Sequence, residues 1–141
     1  MSGVCLAQDF QNGLYFIEKL EQDEECQDPI KSMHADSVYC LTGLPIIPSQ
    51  DFVSLSKIKQ EPIMGGRYFV IGLAPSSKET MKVIEAKALA ENMGLIISNR
   101  LVGKVKVSEL AEQGFIRVGK GLIHSELKKL HRALANAEPD G

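Results

Sequence analysis

A chain of 141 residues is the size of one domain and long enough to bury a core without disulfides or a metal. Its 44% hydrophobic and 24% charged residues are those of an ordinary globule, and no apolar run reaches the roughly 18–20 residues of a membrane-spanning helix. The net charge of −2 hides an asymmetry: residues 1–66 hold ten acidic and four basic side chains, net −6, and residues 67–141 hold eight acidic and twelve basic, net +4.

Halves of opposite sign attract each other or address different partners. Residues 1–9 have neither a basic start nor a long apolar segment, so they do not read as a secretory signal. Three cysteines, an odd number without framework spacing, point to free thiols in a reducing compartment and so to the cytoplasm.

In chain order, Leu14-Tyr15-Phe16-Ile17 fits a strand or a helix, and the acidic residues 18–25 that follow fit a solvated face or loop. Ser37 to Leu41 reads as a strand closed by Thr42-Gly43. Pro45 and Pro48 keep residues 44–48 out of any central strand, because each removes a ladder donor. Residues 52–58 alternate partially, and Gly65-Gly66 offers a turn that would pair 52–63 with the apolar run 67–73.

Ser76 and Glu79 have capping-box spacing, so a helix is predicted over 76–93, stopped by Gly94. Its apolar residues form two stripes, Met81/Ile84/Ala88 and Val83/Ala86/Ala90/Met93, and the second side needs the N-terminal half or a second protomer to cover it. Met81, Ile84 and Ala88 are the candidate interface of a homodimer. Residues 95–97 and 101–102 read as strands, 104–107 alternate with one wet face, and 108–114 look like one capped turn. Ile123, Leu127, Leu130, Leu134 and Ala137 mark a final amphipathic helix.

The runs Arg67-Tyr68-Phe69-Val70-Ile71-Gly72-Leu73 and Phe115-Ile116-Arg117-Val118-Gly119 read alike, and each precedes a helical pattern. The order from residue 67 is therefore strand, helix, strand, strand, helix, which resembles the ferredoxin-like plan without its last strand. Tyr68 to Leu73 with Ser77-Lys78-Glu79, then Phe115 to Gly119, resembles the peptidoglycan-binding SPOR repeat, a family of membrane-anchored periplasmic proteins. Phe69 to Pro75 with Gly114-Phe115 resembles the two ribonucleoprotein segments of an RNA-recognition motif. That family implies base-stacking aromatics on its third strand, where this chain supplies Phe115 with Arg117 on the same face.

The candidate chemistry is sparse. Cys5, Cys26, His34 and Cys40 lack the Cys-x-x-Cys spacing of a zinc site, and Cys40 with His34 lacks the orienting group of a thiol nucleophile. His124 and His131 stand seven apart, too far for one metal on a helix face. Gly119-Lys120-Gly121 reads as a loop or cap, and Ile58-Lys59-Gln60-Glu61 matches a SUMO-acceptor pattern short enough to arise by chance. The basic set Arg100, Lys104, Lys106, Arg117, Lys120, Lys128, Lys129 and Arg132 is a candidate phosphate-contacting surface.

The expectation is one α+β domain spanning 1–141, with two helices on one face of a mainly antiparallel, ferredoxin-like sheet. Residues 1–66 would form an irregular acidic half with one to three strands, and 67–141 the basic strand-helix-strand-strand-helix half. The function expected is a non-enzymatic binding or regulatory module for a protein partner, without cofactor or metal. Nucleic-acid binding by the basic half and a small enzyme with a site not visible in sequence are the alternatives.

Overall fold

Alternation along one strand builds the centre of the molecule: Phe69, Ile71 and Leu73 point inward and are buried, whereas the residues between them are partly exposed. The computed structural model describes residues 10–20, 25–26, 29–33, 38–41, 43–63 and 65–136. Within them the elements are β1 (Gly13–Tyr15), β2 (Ile17–Lys19), β3 (Pro29–Lys31), β4 (Val38–Leu41), β5 (Ile47–Pro48), a 3-10 turn (Ser49–Asp51), β6 (Phe52–Leu55), β7 (Lys59–Gln60) and β8 (Arg67–Leu73). There follow α1 (Pro75–Ala86), β9 (Asn92–Ile97), β10 (Arg100–Lys106), α2 (Val107–Gln113), β11 (Phe115–Val118) and α3 (His124–Asn136).

The strands form three sheets, ordered β10-β9-β1-β5, β11-β8-β6 with β7 also beside β8, and β2-β4-β3. Every strand pairing in them is antiparallel. The first sheet is covered on both faces. Leu14 and its register partner Leu95 face the main core, while Ile96 and Leu101 face the third sheet, meeting Ile30 and Leu41. Between β1 and β2 the chain steps at Phe16 from the first sheet to the third.

The molecule is thus α+β with antiparallel sheets, but its sheets depart from the ferredoxin-like plan. That plan needs the strands of the unit in one sheet. Here β8 and β11 lie in one sheet and β9 and β10 in another. The N-terminal half causes the division: β6 and β7 take the second edge of β8, and β1 takes the second edge of β9. The expected pairing of 52–63 with 67–73 is present as β6 and β7 on β8. Among the described residues the proline-bounded β5 pairs only with β1 and ends the first sheet, in keeping with the donors that its prolines lack.

Helix α1 is shorter than predicted. Residues 92–97 form β9 instead, because Met93, Leu95 and Ile97 alternate into the main core. Ala74 is the N-cap with Pro75 at the first helical position, so no Ser76–Glu79 capping box forms. Met81 and Ile84 are buried in this chain's own core, and Ala88 lies in the turn after the helix at φ 52°. Met81 and Ile84 are therefore not presented to a second protomer, whereas Ala88 is exposed, and on the other stripe Val83, at 50%, and Ala86 are exposed.

Helix α2 is fuller than one turn and buries Val107, Leu110 and Ala111 beside α1. Helix α3 buries Leu127, Leu130 and Leu134 over β8 and β9, whereas Ile123 precedes the helix and is 64% exposed. Among the described residues no helix is long and apolar enough to cross a membrane. Cys26 and Cys40 form a disulfide that ties the chain ahead of β3 to the middle strand of the third sheet. This corrects the expectation of unpaired thiols and removes the argument for a reducing compartment.

Candidate binding cleft

Strand β11 owes its position to Gly114, which ends α2 in the left-handed region at φ 75°, a conformation glycine adopts without strain. The Gly114 carbonyl accepts the Leu73 N–H at 2.9 Å. Antiparallel alternation then directs Ile116 and Val118 to β8 with their backbone groups and turns those of Phe115 and Arg117 away from it. Among the described residues no strand pairs with that outer edge.

The facing wall is β10, which ends the first sheet. Its register on β9 shifts between Leu101 and Gly103, a bulge that bends the strand and turns Val102 to the main core. Near Leu101 its outer edge is covered, since Ser32 bridges Leu101 and the Met33 N–H donates to the Leu101 carbonyl at 3.1 Å.

Between the two outer strands lies a cleft of about 400 Å³. Leu95, Val102, Val105, Ile116 and Leu122 supply its apolar lining, and Lys104, Arg117 and Lys120 its charges. The turn at 119–121 closes one end. A Cβ on Gly119 would come within 2.4 Å of the Arg67 carbonyl, so only glycine lets the turn press against β8. Gly103 is the opposite case: a Cβ there meets nothing within 4 Å.

The three cations differ in their surroundings. The Arg117 guanidinium lies 3.7 Å from the Tyr68 ring centroid and is ion-paired with Glu61. The Lys104 ammonium stands 5.6 Å from the Tyr39 ring centroid. Neither Lys104 nor Lys120 has an ion-pair partner among the described residues. The rest of the expected basic set is dispersed. Arg100 and Lys106 mark the two ends of β10, and Lys128, Lys129 and Arg132 share the exposed side of α3. Eight cations that looked like one surface in sequence thus fall into separate groups.

The other candidates find structural places. His131 Nε2 is 2.8 Å from the Ser56 carbonyl oxygen and its ring meets Phe69 edge-on at 5.1 Å, so it docks α3 on the second sheet. His124 accepts from the Arg67 guanidinium at 2.8 Å. Partial desolvation, with the Arg67 and Lys128 cations beside it, holds its pKa below the ordinary value. Lys59 is part of β7, and Glu61 of the SUMO-like pattern is engaged with Arg117. Cys40 is oxidised to Cys26 and is no thiol nucleophile here. His34 and Cys5 lie outside the described residues. Among those described, no three metal-ligating side chains converge.

Sequence reasoning found the cations of the cleft and missed its apolar lining and its open edge. Gly103 was the available signal, because glycine inside a strand marks a bulge or a close approach. A second depression, of about 490 Å³, lies between the first and third sheets. It mixes Glu18 and Glu91 with Lys19 and Lys104 and has no preferred sign. No family model, curated protein or solved structure matches the chain.

Proposed function

We propose that this chain is a binding module that takes an extended segment of a partner protein into the β10–β11 cleft, adding it as a further strand on β11. The observation that carries the reading is the outer edge of β11, unpaired among the described residues, opening onto a mostly apolar cleft. In strand addition, main-chain hydrogen bonds supply affinity and the pockets beside the edge supply selectivity. The volume lies within the roughly 300–1,000 Å³ of ordinary ligand sites. The Cys26–Cys40 disulfide favours an oxidising compartment over the cytoplasm as the place of binding.

The test is amide exchange on ¹⁵N-labelled protein with a capped peptide of alternating valine and serine. The amides of Phe115 and Arg117 should become protected as the peptide saturates. Gly103→Phe should place a ring in the cleft, change stability by no more than about 0.5 kcal/mol and abolish that protection. Shifts confined to other surfaces would remove the reading. The alternative of nucleic-acid binding draws on the α3 trio Lys128, Lys129 and Arg132. A mobility shift with short RNA and DNA that weakens steeply with salt, and disappears on charge reversal of that trio, would favour it.

A further inference from the structure

We infer that the segment bound in the β10–β11 cleft is acidic, with carboxylates alternating with apolar side chains. The inference rests on the cleft reading above and adds the chemistry of the occupant. A strand beside β11 must send successive side chains to opposite faces, as β11 itself does. On β11 the inward face carries Ile116 and Val118 and the outward face carries Phe115 and Arg117. Alternate residues of an added strand therefore meet the apolar lining of Leu95, Val105 and Leu122, and those between them pass Arg117 and Lys120. Lys104 borders the opposite wall, with its ammonium toward the Tyr39 ring of the third sheet.

The molecule already places one carboxylate at this edge. Glu61, just after β7, reaches across β8 to ion-pair with Arg117 while that guanidinium stacks on Tyr68. A carboxylate is thus the group Arg117 accepts in this setting, and Glu61 competes with any carboxylate brought by a partner. Lys120, which has no ion-pair partner among the described residues, biases the cleft further toward an acidic occupant, because a cationic segment would meet an uncompensated cation.

Three labelled peptides decide the matter, with valine alternating with glutamate, serine or lysine, read by fluorescence anisotropy at low and moderate salt. The valine–glutamate peptide should bind about tenfold more tightly than the valine–lysine peptide at low salt, and the gap should narrow as salt rises. Glu61→Gln should tighten the acidic peptide alone, by a few-fold, a change that a merely structural role for Glu61 would not produce. Lys104→Glu with Lys120→Glu, both at exposed positions, should invert the preference while the melting temperature holds. Equal binding of all three peptides, with Phe115 and Arg117 still protected, would overturn the acidic occupant and leave strand addition standing. If none of the three binds, the cleft reading fails and this inference with it. Self-association of the protein that Lys104→Glu abolishes would assign the site to a second copy and overturn the partner segment.

Discussion

The molecule has two cores of different construction. The main core joins β8, β11, the inner face of the first sheet and all three helices, with Phe69, Met81, Ile97 and Leu127 fully buried in it. Among the described residues the smaller core buries Tyr15, Ile30, Leu41, Ile96 and Leu101, with Phe10, Ile17 and Tyr39 packed against them, beneath a third sheet whose strands are three or four residues long. Strands that short bury too little to hold themselves. The third sheet is also where the disulfide lies. The difference teaches that burial secures one region and a covalent link supplements it in the other.

Breaking the main core should have the largest effect. Phe69→Ala removes a fully buried ring that meets Ile71-side packing in the second sheet and the His131 ring of α3. The expected cost is about 3–5 kcal/mol, a large share of the roughly 5–15 kcal/mol that stabilises a domain. Urea unfolding would read it as a lower midpoint with an unchanged slope. A cost under about 1 kcal/mol would mean that this core is not the principal support.

Breaking the covalent link should act locally. The sequence separation of Cys26 and Cys40 is 14, for which chain entropy predicts roughly 3 kcal/mol. Cys26→Ser with Cys40→Ser should speed exchange at the amides of β2, β3 and β4 and leave those of β8 protected. Uniform acceleration in both regions would show one cooperative unit and dissolve the contrast.

The two cores were not equally legible in the sequence. Alternation in 67–73 and the leucines at 127, 130 and 134 announce the main core directly, because strand and helix periods survive in those runs. Of the third sheet only the middle strand β4 was legible, in the run Ser37 to Leu41, since the outer strands of three residues show no period. Its disulfide was hidden because an odd cysteine count argues against pairing. The division into sheets was hidden for another reason: β1 pairs with β9, far away in sequence, and no local pattern reports a long-range partner, whereas the nearer pairing of β6 with β8 was legible from the Gly65-Gly66 turn. The cations of the cleft were visible as residue types, but its open edge exists only once β11 and β10 end different sheets.

A smaller effect sharpens the account of the main core. Ser77 is 2% exposed, and its hydroxyl has no hydrogen-bond partner among the described residues. Ser77→Ala removes the desolvated group and should stabilise the protein by about 1 kcal/mol, seen as a modest rise in melting temperature. Destabilisation would mean that the hydroxyl is satisfied in solution.

The smallest effect concerns acid and the seam between α3 and β8. His124, at the start of α3, accepts a hydrogen bond from Arg67, so its ring is neutral in the folded protein. Desolvation and the cations of Arg67 and Lys128 lower its pKa from 6.5. A histidine depressed in the folded state favours folding fully above its ordinary pKa, and that contribution is lost as pH falls through the lowered folded value. The side chain is exposed, so acid should first loosen the start of α3 rather than unfold the domain, and the third sheet should not respond. A histidine-resolved NMR titration checks this: His124 should titrate below 6.5 and move back toward it in Arg67→Ala. A pKa unchanged by that substitution would mean that the guanidinium does not hold the ring, and that acid sensitivity at this seam arises elsewhere.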